Sequence, residues 1–244
     1  DVINEVAFVV MDCIDRGRGD LGYHFLDAYM QVRGDFEGLA LLRFYMVYRA
    51  MVRAKIALFT MGNPSLTDAD KEGLLQRYRD YAQLAEDYSI IPNPYLLATT
   101  GLSASGKSLV SHSMAAELGL IRLRSDVERK RVFGMGRLAQ SKSPTGGNLY
   151  TEEANQRTYQ RLADVAGKLL AGGMPVILDA ACLKHAEREM LVATTGPDEV
   201  AVDGLVPEPL RDGSVETFLE NLPEHDAAMT KILRDAQAED KVLR

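Results

Sequence analysis

The spacing of apolar positions changes character near residue 94 of the 244-residue chain. Before that point it follows the helical period. Val2, Ile3, Val6, Ala7, Val9 and Val10 form one apolar face of a first helix, which ends near the glycines at 17 and 19. A second helix buries Phe25, Leu26, Ala28 and Tyr29 and stops at Gly34. The third has the strongest pattern, with Leu41, Leu42, Tyr45, Tyr48, Val52 and Ile56 at spacings of three and four. Arg43, Arg49 and Arg53 share it and read as a solvated basic face. A loop over 61–67 leads to a helix over 68–87, capped by Thr67 or Asp68, with the polar composition of a partly exposed connector. Pro92 and Pro94 end it, because each disfavours helix in the residue before it. The expected division is a helical module over 1–90 and a second domain over 91–244.

Beyond Pro94 the apolar runs shorten to strand length and alternate with helical patterns. Residues 95–100 read as a buried strand, 109–118 as a helix, and 120–126 as a second strand in which Leu120, Arg122 and Arg124 alternate with Ile121 and Leu123. Residues 150–170 form a long amphipathic helix with Ala154, Tyr159, Leu162, Ala163, Val165, Ala166 and Leu169 toward the core, and Arg157 and Arg161 on the surface. Gly172 and Gly173 stop it before a strand over 175–179. Residues 199–203 offer a further strand, and 214–222 and 226–243 read as exposed acidic helices. Strand and helix in alternation predict an α/β fold, a parallel sheet with flanking helices, preceded by an all-helical module.

Between the first strand and the helix after it stands Gly101-x-x-x-x-Gly106-Lys107-Ser108, the Walker A spacing. Glycines let the backbone curl until successive N–H groups face an anion. The helix that follows adds its positive dipole end. Gly101, Ser103, Ala104, Ser105, Gly106 and Lys107 would cradle the phosphates of a nucleotide, with Lys107 reaching the β- and γ-phosphates, and Ser108 would ligate Mg²⁺. A plain glycine-rich strand–helix turn is the structural alternative.

Composition adds bounds. With 46% hydrophobic and 26% charged residues, the chain is of ordinary globular type. Cys13 and Cys182 alone make no disulfide framework, so a reducing cytoplasm is expected. No apolar run is long enough to span a bilayer, and the N-terminus lacks a signal-peptide layout. The first residue is Asp1 rather than Met, as in a fragment of a longer protein. The net charge of −7 is unevenly placed: −4 over 1–90, +4 over 91–190 and −7 over 191–244. The positive part holds the phosphate loop, which suits an anionic ligand, and so small an excess does not call for nucleic acid.

Residues 1–12 and 44–55 resemble the last helices of aminoglycoside-phosphotransferase-like proteins. Such a lobe occurs fused to a P-loop kinase domain in a family of two-domain bacterial proteins, of bifunctional ATP-binding type, and the resemblance extends to about residue 190. It implies that this lobe is truncated here. The lobe's His-Gly-Asp catalytic loop and metal-binding Asp would lie upstream of Asp1, so residues 1–90 are assigned no phosphotransferase chemistry.

Two carboxylates complete the candidate site. Ligands of open α/β sheets bind beyond the carboxyl ends of strands, which places Asp126 near the loop. Asp126 would take the proton of an attacking hydroxyl, and Arg129 would hold phosphate oxygens. Ser125 or Asp126 capping a helix from Val127 is the structural alternative, compatible with the first. The run 125–130 looks like that of zeta-toxin-like and polynucleotide-kinase-like P-loop kinases. Asp179 ends an apolar strand in the Walker B manner, close to Mg²⁺, or else caps the next helix. Residues 179–184 resemble the corresponding run of the fused kinase family, with Cys182 where an aromatic is usual. Cys182 and His185 read as packing and surface residues. The Gly/Ser/Pro-rich segment 134–147, with Lys130, Arg131, Arg137 and Lys142 in or beside it, is either a flap over the acceptor or a disordered insertion. No lid arginine is legible after Met190.

The predicted function is Mg²⁺-dependent transfer of the ATP γ-phosphoryl group to a hydroxyl of a small molecule. Lys107, Asp126 and Arg129 are the catalytic candidates, and Ser108 and Asp179 the metal candidates. The alternatives are a catalytically degenerate ATP-binding regulatory module and a nucleotide hydrolase.

Overall fold

A computed structural model describes residues 1–90, 94–101, 105–135, 150–193 and 201–205. The chain divides into two compact units, one of Asp1–Leu26 with Asp35–Pro92, the other of Asp27–Gly34 with the chain from Asn93 onward.

The first unit holds α1 (Val2–Asp15), the start of α2 (Gly19–Arg33), a short 3-10 turn (Gly38–Leu41), α3 (Leu42–Met61) and α4 (Asp68–Ser89). Asp1 caps α1, its carboxylate accepting from the Ile3 N–H at 3.0 Å. Thr67 and Asp70 form a reciprocal capping box at the start of α4. The buried face of α1 is Ile3, Val6, Ala7, Val10 and Met11, narrower than predicted, with Val2 and Val9 exposed. In α2 Leu26 is buried as predicted, whereas Phe25 and Ala28 are exposed. The buried stripe of α3 is also turned from the predicted one: Leu42, Met46, Ala50, Ala54 and Ala57 face inward, while Leu41, Tyr48 and Ile56 are exposed. Alanines allow neighbouring helices a closer approach than aromatic residues would, and the small side chains take the inner face. The arginines of α3 are not a solvated face. Arg49 donates to Asn4 and Glu5, Arg53 donates to Asp12 at 2.8 Å, and both guanidinium groups lie 4.9 Å from the centre of the Phe8 ring. Arg43 donates to the carbonyls of Tyr88 and Ile90.

The second unit is built on a four-stranded parallel sheet of β1 (Leu96–Thr99), β2 (Ile121–Arg124), β3 (Val176–Asp179) and β4 (Ala201–Leu205), in the order β2-β3-β1-β4. β3 is buried along its whole length, as a central parallel strand covered on both faces should be. Among the described residues the helices that alternate with the strands are α5 (Lys107–Leu118), α6 (Ser125–Val132), α7 (Glu152–Ala171) and α8 (His185–Val192). All seven residues predicted as the α7 core are buried, joined by Thr158 and Leu170. Gly119, at φ 69°, ends α5 in the left-handed conformation that favours glycine.

β2 ends at Arg124, two residues earlier than predicted, and Ser125 and Asp126 form the first turn of α6 rather than capping it. Asp179 does not cap α8, whose N-cap is Lys184. The chain leaves β1 toward β2 on one side and β3 toward β4 on the other, so neighbouring β1 and β3 flank a topological switch point, where ligands bind in such sheets. The fold is α/β and P-loop kinase-like. The helices predicted at 214–222 and 226–243, and most of the segment 134–147, lie outside the described residues.

Candidate nucleotide site

The turn from β1 to α5 is fixed from below by hydrogen bonds to the neighbouring strand. Thr99 is buried, and its hydroxyl bonds the carbonyls of Leu178 and Ala180 at 3.1 and 3.0 Å. The Gly101 N–H donates to the Ala181 carbonyl at 3.0 Å. Gly106 opens α5 at φ 86°. A Cβ there would meet nothing within 4 Å, so the backbone angle, and not lack of room, calls for glycine. Ser103 and Ala104 lie outside the described residues.

At the head of α5 the Lys107 ammonium donates to the Ser105 hydroxyl at 3.2 Å, and the Ser108 hydroxyl donates to Asp179 Oδ1 at 3.1 Å. The second oxygen of Asp179 is buried and makes no hydrogen bond. Arg124 Nε lies 3.3 Å from it, out of line for a hydrogen bond, and Arg122 Nη1 lies at 3.8 Å. Asp179 is thus a carboxylate paired with two arginines, with one oxygen that makes no hydrogen bond, beside a hydroxyl. Both are hard oxygen donors, the type Mg²⁺ prefers, and Mg²⁺ commonly takes one or two protein oxygens and completes its shell with water and phosphate. Among the described residues no group of three or more His, Cys, Asp or Glu side chains could hold a metal ion. The residues present fit a phosphate-bridged Mg²⁺.

Asp126 and Arg129 project from α6 into the same cleft, which has a volume of about 710 Å³ and is also lined by Ser105, Gly106, Lys107, Ser108, Arg124, Tyr150 and Asp179. Asp126 is half-exposed and pairs with Lys130 at 3.0 Å, one helical turn away. Arg129 is 8% exposed, with its guanidinium 5.1 Å from the centre of the Tyr150 ring, a cation–π distance. α6 is itself held by Glu128, which is 1% exposed and bonds Arg131 and Arg161. Arg161, predicted as a surface residue, thus neutralises a buried carboxylate. Arg131 also donates to the carbonyls of Met30 and Gln31, both at 2.7 Å.

The loop after β3 forms one wall. Cys182 has φ 45°, unusual for a residue with a side chain, and is buried. Its N–H donates to the Tyr159 hydroxyl at 3.0 Å, and its carbonyl accepts from Arg188 Nη1 at 2.9 Å. Burial pushes the Cys182 thiol up to about 11, and burial likewise raises the Tyr159 phenol. Cys182 therefore packs, as predicted, and His185 is exposed beside Glu189. A second hollow of about 560 Å³, lined by residues of α7 and α8 such as Ala163, Gly167 and Met190, holds no comparable set of charged groups.

The structure brings Ser105, Gly106, Lys107, Ser108, Asp126, Arg129 and Asp179 to one cleft, while Gly101 stands at the start of the loop. Residue patterns placed Arg122 and Arg124 only in a strand and gave no site role to them, to Tyr150 or to Asp27. The one available signal was two arginines inside a four-residue strand, of which Arg122 is buried.

A parallel sheet whose first strand turns through a glycine loop into a helix, with a carboxylate at the end of the neighbouring strand, defines a P-loop nucleotide-binding module of kinase-like type. Residues 96–212 match the family model described as "AAA domain". The chain is also similar to uncharacterised proteins of Mycobacterium bovis and Mycobacterium tuberculosis, each 30% identical over 181 residues. That alignment covers 73% of this chain and 35% of each relative, so the chain spans about a third of the length of the curated relatives it matches. No solved structure matches the chain. Among the described residues no helix is long and apolar enough to cross a membrane.

Proposed function

We propose that the module transfers the γ-phosphoryl group of ATP to a hydroxyl of a small molecule in the presence of Mg²⁺. The observation that carries this reading is the shared cleft, lined by Lys107, Ser108 and Asp179 together with Asp126 and Arg129. When bound, Mg²⁺ would neutralise charge on the phosphates. The loop amides and Lys107 would hold the β- and γ-phosphates. Ser108 and the Asp179 oxygen that makes no hydrogen bond would ligate the metal directly or through its water. Asp126 would accept the proton of the acceptor hydroxyl, and Arg129 would draw negative charge toward the transfer point. Lys130 pairs with Asp126 at 3.0 Å, one helical turn away on the same helix.

Residues 1–90 stay, in this reading, a helical packing module like the end of a phosphotransferase-like lobe. The setting is a reducing cytoplasm, and the partner is a small hydroxylated acceptor rather than nucleic acid or a membrane.

The test is a screen of a metabolite library for γ-phosphate transfer, followed by Asp126→Asn. General-base loss should lower transfer by about 10²–10⁴-fold and leave ATP affinity unchanged. Phosphate release at the same rate with and without every acceptor would instead identify a hydrolase, and ATP binding with no turnover a regulatory module.

A further inference from the structure

Below the phosphate loop lies a buried polar cluster that general P-loop chemistry does not require. Arg122, in the middle of β2, and Asp27, in the second half of α2, are each 7% exposed. A lone guanidinium or carboxylate at such depth is strongly disfavoured, so the two persist only as partners. They form a fork: Arg122 Nε donates to Asp27 Oδ1 at 3.2 Å and Nη2 to Oδ2 at 2.8 Å. The Gln31 amide braces both, donating to Asp27 Oδ1 at 3.0 Å and to the Arg122 carbonyl at 3.1 Å. His112 Nδ1 lies 3.2 Å from Asp27 Oδ2.

With two nitrogens engaged, the planar guanidinium presents its third in a set direction. Nη1 donates to the backbone carbonyl of Ser108 at 3.0 Å and stands 3.8 Å from Asp179 Oδ2, the oxygen without a hydrogen bond. A chain of polar contacts therefore runs from α2 to both metal candidates.

We propose that Asp27 and Arg122 are positioning residues of the nucleotide site. Asp27 keeps the guanidinium turned onto the Ser108 carbonyl, which steadies the head of α5, and restrains that cation from closing on Asp179. With Arg122 so held, Arg124 Nε at 3.3 Å is the nearest cation to Asp179 Oδ2 among the described residues, and a divalent cation has only it to displace. Residues 27–34 accordingly belong to the working nucleotide unit, in line with their clustering with it. The inference rests on the nucleotide reading given above.

The experiment uses the full chain and measures ADP binding as a function of Mg²⁺ concentration, by calorimetry and by thermal shift. In Asp27→Asn the freed guanidinium competes for Asp179. The Mg²⁺ concentration giving half-maximal ADP binding should rise about tenfold, the size of one charge-assisted contact, while Mg²⁺-free ADP affinity changes by less than about twofold. The double variant Asp27→Asn/Arg122→Met removes the competing cation and should return the Mg²⁺ midpoint to within about twofold of the parent, even if its melting temperature stays low. A purely structural role predicts instead that single and double variants lose ADP binding in step with stability, and that result overturns the proposal. So does an unchanged midpoint in Asp27→Asn. Should that variant not fold, Gln31→Leu, which only loosens Asp27, should move the midpoint about threefold in the same direction, and no movement counts against the idea. A parent protein that takes up no ADP, or takes it up without regard to Mg²⁺, refutes the nucleotide reading and this inference together. A normal parent response that the variants leave untouched refutes the inference alone.

Discussion

Replacing Tyr159 by Phe removes one oxygen that holds the loop after β3 and leaves the ring in place. Tyr159 is 4% exposed, and its hydroxyl accepts the backbone N–H of Cys182 at 3.0 Å. Loss of that acceptor leaves a buried N–H unsatisfied, which costs about 1–3 kcal/mol. No ring is lost, so the cavity contribution is small. The Cys182 backbone sits at φ 45°, where a side chain adds strain that the surrounding contacts must hold in place. For a chain of this size each kcal/mol lowers the melting temperature by about 2–4 °C, so a drop of about 2–12 °C is expected. The next carbonyl back, that of Ala181, accepts the Gly101 N–H, and loosening should therefore reach the start of the phosphate loop. Urea unfolding followed by circular dichroism gives the stability change, and hydrogen exchange of peptides covering 99–102 and 180–184 gives the local opening. A stability loss below about 0.5 kcal/mol, with exchange unchanged in both peptides, would refute the claim that this hydroxyl secures the loop.

Asp179→Ala should raise the Mg²⁺ needed for nucleotide binding by about 10–100-fold, read by titrating Mg²⁺ at fixed ADP, with little effect on Mg²⁺-free binding. Cys182, raised to about 11 by burial, should resist iodoacetamide at pH 8 in the native protein and react once the chain is unfolded. Its folded thiol holds its proton more tightly than an unfolded one, which ionises near about 8.5. That contribution to stability is therefore complete below this pH and declines as the pH rises toward about 11. Urea midpoints measured from pH 7 to 10 in the parent and in Cys182→Ala should diverge less at the alkaline end.

What could be read from the chain depended on how local its cause was. α7 was legible in full because its apolar period of 3.6 persists for five turns against one buried face. The turn from β1 into α5 was legible because Gly101, Gly106, Lys107 and Ser108 form one short local pattern, and Gly106 opens the helix in the left-handed region. α3 was read with the wrong face: it is apolar on several sides, and the alanines that pack carry a weaker signal than the aromatic residues that do not. The end of β2 was misplaced because Ser125 and Asp126 suit a strand end and a first helical turn equally well. Arg122 was read only as one position in the strand's alternation, because its burial is explained by Asp27, 95 positions earlier. No local pattern encodes such a pairing.

The central claim is that the backbone and ammonium of the β1–α5 turn hold a nucleotide's phosphates against a metal site at Asp179. Calorimetric titration of the full chain with Mg-ATP tests it most directly. One site per chain is expected in the parent, weakened at least about tenfold in Lys107→Ala, the loss of one charge-assisted contact to phosphate. Absence of binding in the parent, or binding that Lys107→Ala leaves intact, would contradict the account.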